Sequence, residues 1–591
     1  MSRKVLLSAN EAVAWAACKA GCAVASAYPG TPSTEILEQV AKFKDSIYCE
    51  WGVNEKVSME VAIGASIAGA RALTAMKHVG LNVAMDPLMT YTYVGANGGL
   101  VVIVADDPGM HSSQNEQDSR NLVKFARAAL FEPADSQETF DMVQAAFEVS
   151  EQFQVPAFVR LSTRTSHTST VVDVGDDFGA GRPERKAYVK DIRRYIPVPM
   201  FARPQRLKAQ ERTAAMRAFA CETPFNRVER GDDRLGIITS GVTYQYVKEV
   251  FPEFSVLKLG FTNPLPVEQV KAFAASVERV LVIEELDPFM EEQVRALGIE
   301  VVEHATELNM LEMNPMRLTA LRKELLGDVE LPAVTLADAG LPTRPPVLCS
   351  GCSHRAVFYT LAKLGATVTG DIGCYTLGAF PPLSAMDTTI CMGACIGNAF
   401  GMEKAGKTGR LCAVIGDSTF FHSGMTGILN VLYNGGTITT IVLDNRITGM
   451  TGHQENPGSG RTLCGEPAPV TDIAELAKAM GFKRVARVDA YDLAALERVL
   501  KEELDAPEPS VVIAGGPCRI AAKLMNAGTC EVDPVTCKAC GACFKLGCPA
   551  IERGEPTPDG KRFKSRIDPV QCSGCTMCRQ TCKFGAITKI R

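Results

Sequence analysis

Two runs of cysteine near the carboxyl end, Cys537-x2-Cys540-x2-Cys543-x4-Cys548-Pro549 and Cys572-x2-Cys575-x2-Cys578-x3-Cys582, constrain this chain more than any other feature. Three thiolates two residues apart can wrap three corners of a cubane [4Fe–4S] cluster, and the fourth cysteine of each run reaches across to the other cluster. The spacing therefore assigns Cys537, Cys540, Cys543 and Cys582 to one cluster, and Cys572, Cys575, Cys578 and Cys548 to the second. The first run has four residues before its last cysteine where three are usual, and Lys583 stands where proline is expected. Neither change moves a ligand out of reach. Tetrahedral zinc also uses C-x2-C pairs, but two near-identical four-cysteine runs favour clusters. Such a tail moves single electrons, so the rest of the chain is expected to produce or consume them.

Residues 530–591 carry eleven Lys or Arg against six Asp or Glu, a formal +5 in a chain whose net charge is −5. Each oxidised cubane with four thiolates brings about two negative charges, so this basic excess offsets cofactors. It does not point to nucleic acid, and the pI near 6.0 argues the same way. At 591 residues, 46% hydrophobic and 22% charged, the chain can bury several globular cores. The start, Met1-Ser-Arg-Lys before Val5-Leu-Leu, has too short an apolar run for a signal peptide, and no stretch reaches the length of a membrane span. A cytoplasmic, reducing and anaerobic setting is expected for 21 cysteines without a secretion signal.

Apolar runs alternate with helical stretches: Gly99–Ala105, Leu235–Thr239, Val280–Glu284, Cys412–Gly416 and Thr440–Asp444. Continuous apolar strands followed by helices predict buried parallel sheets. Pro- and charge-rich stretches at 176–210 (with Pro197, Pro199 and Pro204) and 328–348 read as linkers. The expected architecture is a multidomain α/β chain with units at 1–180, 210–330, 345–520 and 530–591. The doubled cysteine run, offset by 35 residues, is an internal repeat.

Gly416-Asp417-Ser418 closes one predicted strand and Asp444-Asn445-Arg446-Ile447 the next. Phosphate-bearing ligands bind past the carboxyl ends of parallel strands, and Mg2+ takes carboxylate, amide or carbonyl, and phosphate oxygens. Asp417, Asn445 and the Ile447 backbone would supply the protein share. The pattern resembles the Gly-Asp-Gly…Asn motif of thiamine diphosphate enzymes, with serine for the last glycine. Glu60, followed by Val-Ala-Ile-Gly-Ala-Ser-Ile-Ala-Gly-Ala, resembles the pyrimidine-binding glutamate of those enzymes, which bonds the aminopyrimidine N1′; Glu55 is its rival, with poorer spacing to the glycines.

Ala27-Tyr-Pro-Gly-Thr-Pro-Ser-Thr-Glu35, Cys349-Ser-Gly-Cys352-Ser-His-Arg355, Gly370-Asp-Ile-Gly-Cys374, Gly416–Gly424 and Asp444–Gln454 resemble the 2-oxoacid:ferredoxin oxidoreductase superfamily, most closely its indolepyruvate branch, over nearly the whole chain. The resemblance implies two thiamine-diphosphate-type parallel-sheet domains (1–180 and 345–520), a transketolase C-terminal-like α/β domain (210–330) and a two-cluster ferredoxin domain (530–591). It implies that an arylpyruvate, coenzyme A and two oxidised ferredoxins give arylacetyl-CoA, carbon dioxide and two reduced ferredoxins. By the same resemblance Thr31 and Arg120 would hold the substrate carboxylate, and Cys349, Cys352, Cys374 and Cys518 a third, proximal [4Fe–4S] cluster. A separate beta subunit and a ferredoxin acceptor are the implied partners.

His354, His422 and His453 fall near these motifs and could transfer protons or contact diphosphate. Two other classes were open on residues alone. A non-oxidative arylpyruvate decarboxylase would share Glu60, Asp417 and Asn445 but has no use for the tail. An electron-transfer or scaffold subunit would need the tail but not the thiamine constellation.

Overall fold

Leu100–Asp106 is buried at every position, which a strand achieves only when both faces of its sheet are covered. In the computed structural model, which describes residues 3–176, 185–331 and 345–590, it lies near the middle of a seven-stranded sheet. The order is Phe261–Asn263, Ala129–Phe131, Ala157–Ser162, Leu100–Asp106, Ala72–Lys77, Val24–Ala27, Tyr48–Trp51. All neighbours run parallel except the first pair. A four-stranded sheet, Val280–Ile283, Asp232–Ser240, Phe254–Leu259 and Arg227–Glu229, follows. The chain divides into two compact units, Met1–Ala337 and Asp338–Arg591.

One expected linker is partly helix. Residues 177–184 and 332–344 lie outside the described residues, but Pro199–Glu222 forms 24 residues of helix. Pro199 suits the first helical turn, where its missing N–H costs no bond. Gln205, Ala209, Met216 and Ala220 make the buried stripe. The segment is pinned by arginines on the carboxyl end of the helix His78–Val94. Arg212 Nη1 donates to Thr92 O (3.2 Å) and Tyr93 O (3.3 Å), and Arg194 Nη2 to Gly95 O and Ala96 O (2.9 Å each). Cations at unsatisfied helix carbonyls stabilise both partners, so composition misled where tertiary bonds decide.

The second unit holds a six-stranded, wholly parallel sheet: Thr388–Thr389, Thr367–Gly370, Leu411–Gly416, Thr439–Asp444, Ser510–Gly515, Arg484–Asp489. Beyond it, residues 530–590 form two short antiparallel pairs, Cys530–Val532 with Ile587–Lys589 and Ile551–Pro556 with Phe563–Ile567. This tail does not keep a core to itself. Leu546, Met577 and Ile587 belong to the same buried cluster as Leu348, Phe358 and Leu361, so the cysteine tail and the sheet fold as one body. Among the described residues no helix is long and apolar enough to cross a membrane.

Candidate functional site

The strand Leu411–Gly416 must end in glycine, because a Cβ at Gly416 would come within 2.7 Å of the Tyr375 ring. The chain then turns Asp417 inward, 3% exposed. Its Oδ1 accepts from Ser418 N at 2.9 Å and its Oδ2 from Ile447 N at 3.1 Å and Asn456 Nδ2 at 3.4 Å. Asn445 Oδ1 accepts from the same Ile447 N–H at 3.1 Å. Asp417, Asn445 and Ile447 are therefore brought together at the carboxyl ends of adjacent strands. Burial, and then the Asp444 carboxylate, push Asp417 up to about 7. Two crowded carboxylates beside an amide oxygen form a donor set that suits an oxygen-seeking divalent cation. The serine that replaces the motif's glycine ties the two loops: Ser418 Oγ and Thr448 Oγ1 are 2.8 Å apart.

Behind this set lies a polar group that spacing alone did not single out. Tyr375 Oη donates to Asp371 Oδ1, while Gly393 N (2.8 Å) and Cys395 Sγ (3.1 Å) reach Asp371 Oδ2. Burial raises Asp371 to about 6. His422, also buried, bonds Ser423 Oγ through Nδ1 and lies close to Asp371. His354 is held neutral, burial taking it down to about 4, with Nε2 3.3 Å from Asn445 Nδ2. His453 stays half-buried in the following loop.

The cysteines gather in three places. Burial pushes Cys352 up to about 12, with Cys374 and Cys349 adding to the rise, and Cys374 up to about 11, with Cys349 and Cys518 adding. Those four thiols thus share one neighbourhood, and it adjoins the cation site. A Cβ on Gly449 would lie 3.5 Å from Cys374 Sγ and 3.8 Å from Asn445 Nδ2. In the tail, Cys537, Cys540, Cys543 and Cys582 line one cavity. Cys548, Cys572, Cys575 and Cys578 line another, with the Ser350–Gly351 turn. A thiol outside both runs, Cys530, joins the second cavity, its N–H 3.4 Å from Cys572 Sγ. The thiols surround volumes, not a point: among the described residues no three His, Cys, Asp or Glu side chains are arranged to hold a single metal ion.

The first unit corrects two expectations. Glu60 is 45% exposed and bonded to Lys56 one turn back, so it faces solvent. Glu55, five residues earlier and roughly 140° round the helix, is 5% exposed. It opens the helix Glu55–Ile67, with Asn54 as its cap accepting from Val57 N at 2.9 Å. Gly80 leaves it room, since a Cβ there would sit 2.6 Å from Glu55 Oε1. Arg120 is fully buried among protein partners: its guanidinium bonds Asp118, Glu284 (2.8 Å) and the carbonyls of Glu285 (2.7 Å) and Asp287 (3.0 Å). All three guanidinium nitrogens therefore already hold protein carboxylates or carbonyls.

Thr31 sits half-buried, its carbonyl 3.3 Å from Ser112 Oγ. The cation beside that loop is Lys77, which the sequence reading passed over. Its Nζ donates to Ser112 O at 3.2 Å, its Cγ would be 3.2 Å from a Cβ on Gly30, and burial lowers its pKa against the pull of Asp107 and Glu55.

Glu285, beside Arg120, gives a test of this packing. Burial raises its carboxyl from 4.5 to about 7, so it takes up a proton on folding between those values. The stability it contributes is complete below about 4.5 and is lost as pH rises through about 7. Denaturant unfolding across that window is expected to show a steeper decline for the wild type than for Glu285→Gln.

Residues 15–215 match the family described as pyruvate flavodoxin/ferredoxin oxidoreductase, thiamine diphosphate-binding, and residues 371–514 the thiamine pyrophosphate enzyme, C-terminal TPP binding domain. The chain is 41% identical to the indolepyruvate oxidoreductase subunit IorA of Pyrococcus abyssi, over 100% of this chain and 97% of that one. Identity to the same subunit of Methanothermobacter thermautotrophicus is 40%, over 99% and 97%. A solved 2-oxoglutarate:ferredoxin oxidoreductase from Magnetococcus marinus aligns with a TM-score of 0.47 at 18% identity, over 55% of this chain and 65% of that one.

Proposed function

From the premise that this chain belongs to the family of indolepyruvate oxidoreductase IorA subunits, we propose that it catalyses the ferredoxin-dependent oxidative decarboxylation of arylpyruvates. Arylpyruvate, coenzyme A and two oxidised ferredoxins give arylacetyl-CoA, carbon dioxide and two reduced ferredoxins. The observation that carries this reading is the union, in one core, of the Asp417–Asn445 site with three groups of four thiols. A decarboxylase that releases aldehyde has no need of those thiols.

Thiamine diphosphate, when bound, supplies the electron sink that lets carbon dioxide leave a 2-oxoacid. Asp417, Asn445 and the Ile447 carbonyl would hold Mg2+ and, through it, the diphosphate, with His422 close to the same end. Glu55, in place of Glu60, would hold the proton at the aminopyrimidine N1′. Its burial suits that task, because a carboxylate shielded from water keeps its hydrogen bond. Thr31 Oγ1 would orient the substrate carboxylate, with Lys77 supplying the positive charge that Arg120 cannot. Asp371, raised to about 6, would keep Tyr375 and the Gly393 turn fixed behind the site.

The two tail cavities would each hold a [4Fe–4S] cluster, by Cys537, Cys540, Cys543 and Cys582 and by Cys548, Cys572, Cys575 and Cys578, making 530–591 a two-cluster ferredoxin domain. Cys349, Cys352, Cys374 and Cys518 would hold a third beside the cation site. Clusters supply single-electron transfer, which suits ferredoxin as the acceptor. The relatives are named as subunits, which supports a separate beta subunit for this chain too, working in the cytoplasm. Products decide between the readings. With coenzyme A, ferredoxin and the partner subunit, arylacetyl-CoA and reduced ferredoxin are expected in a 1:2 ratio. Arylacetaldehyde with no ferredoxin reduced would sink the proposal.

A further inference from the structure

The Cys349–Cys352 turn runs into the helix His354–Leu364, whose second residue, Arg355, is 1% exposed. Its Nη1 donates to Leu546 O at 2.8 Å, and its Nη2 to Cys349 O at 3.2 Å and to Leu348 O. Its Nε has no hydrogen-bond partner among the described residues. No carboxylate pairs with it there. Arg120 and Arg160, the other deeply buried guanidiniums, each hold two. Beyond those carbonyls, cysteines lie close to Arg355. It lines the cavity of Cys548, Cys572, Cys575 and Cys578, and its charge acts on the thiols of Cys548, Cys352, Cys575 and Cys349, drawn from two of the three cysteine groups.

A buried charge without a counter-charge is unfavourable enough that most ionisable groups there neutralise or find a partner. A guanidinium cannot neutralise. We propose that Arg355 is the fixed positive charge shared by two iron–sulfur clusters, one on Cys349, Cys352, Cys374 and Cys518 and one on Cys548, Cys572, Cys575 and Cys578, and that it makes them easier to reduce. The inference rests on the cluster assignment made under the proposed function.

Each electron that enters a cluster adds one negative charge to it, and the nearby guanidinium attracts that charge. The electron originates in the oxidised 2-oxoacid and leaves to ferredoxin, so Arg355 itself is unchanged. The same attraction lets two negative groups lie on either side of one helix turn. Arg355 also holds the Leu348 and Cys349 carbonyls, so charge and scaffolding have to be separated. It is a positioning residue with an electrostatic duty, not one that touches substrate.

The test compares wild type, Arg355→Gln and Arg355→Lys as complete complexes with the partner subunit, by iron content and by anaerobic redox titration followed by electron paramagnetic resonance. Arg355→Gln is expected to move the one-electron reduction equilibrium of at least one cluster about tenfold toward the oxidised form, 59 mV for a one-electron couple. Arg355→Lys keeps the charge and is expected to stay within about threefold. Iron near eight per wild-type chain, not about twelve, would remove the cluster reading beneath the inference. Iron near twelve with the same potentials in Arg355→Gln would remove the inference alone. Should Arg355→Gln fail to load iron, the lysine variant decides: normal loading and potentials uphold the charge, and failure alongside glutamine shows scaffolding only.

Discussion

The Glu55→Gln variant is expected to lose roughly 10²- to 10⁴-fold of its coenzyme A-dependent turnover, the usual weight of a positioned proton-transfer group. Glutamine fills the same space and can still donate a hydrogen bond, but it cannot share a proton with N1′. The Glu60→Gln variant removes only a solvent-screened contact with Lys56, and should keep wild-type activity. Turnover of both, measured beside thiamine diphosphate affinity, separates the two carboxylates. If Glu60→Gln were the inactive variant, the inward and outward faces of this helix would have been read the wrong way round.

Arg120→Met is expected to destabilise the first unit by about 3–5 kcal/mol, because it leaves buried carboxylates without their cation. Asp118 is held below its ordinary pKa by Arg120 against the cost of its burial, and Glu284 receives 2.8 Å from the same guanidinium. Denaturant unfolding measures the loss. A variant that folded with unchanged stability but had lost substrate affinity would return Arg120 to the carboxylate-binding role that its sequence context suggests.

The grouping of the tail cysteines was legible because it follows local spacing: Cys537, Cys540, Cys543 and Cys582 line one cavity, and Cys548, Cys572, Cys575 and Cys578 line another that Cys530 also joins. Asp417, Asn445 and Ile447 were legible for a related reason: each sits at the end of a recognisable apolar strand. Glu60 misled because glycine spacing cannot say which face of the helix Glu55–Ile67 is covered, and burial settles that. Arg120 was opaque in the same way, since Glu284 lies 164 residues on. Lys77 and Arg355 carry no motif of their own; one is defined by the Gly30–Ser112 loop around it, the other by having no carboxylate partner among the described residues. Prolines hid the helix Pro199–Glu222, whose place is fixed by arginines bonding to carbonyls a hundred residues away.

The central claim is that thiamine chemistry on an arylpyruvate feeds electrons into this chain's own thiol-held clusters. It is tested most directly by an anaerobic single turnover. The chain, loaded with its partner subunit, Mg2+ and thiamine diphosphate, is mixed with indolepyruvate or with pyruvate while the visible absorption of the clusters is followed. Bleaching with indolepyruvate and not with pyruvate is the predicted result. Unchanged absorption while carbon dioxide and indoleacetaldehyde are released would contradict it, leaving a decarboxylase whose cysteine tail serves another purpose.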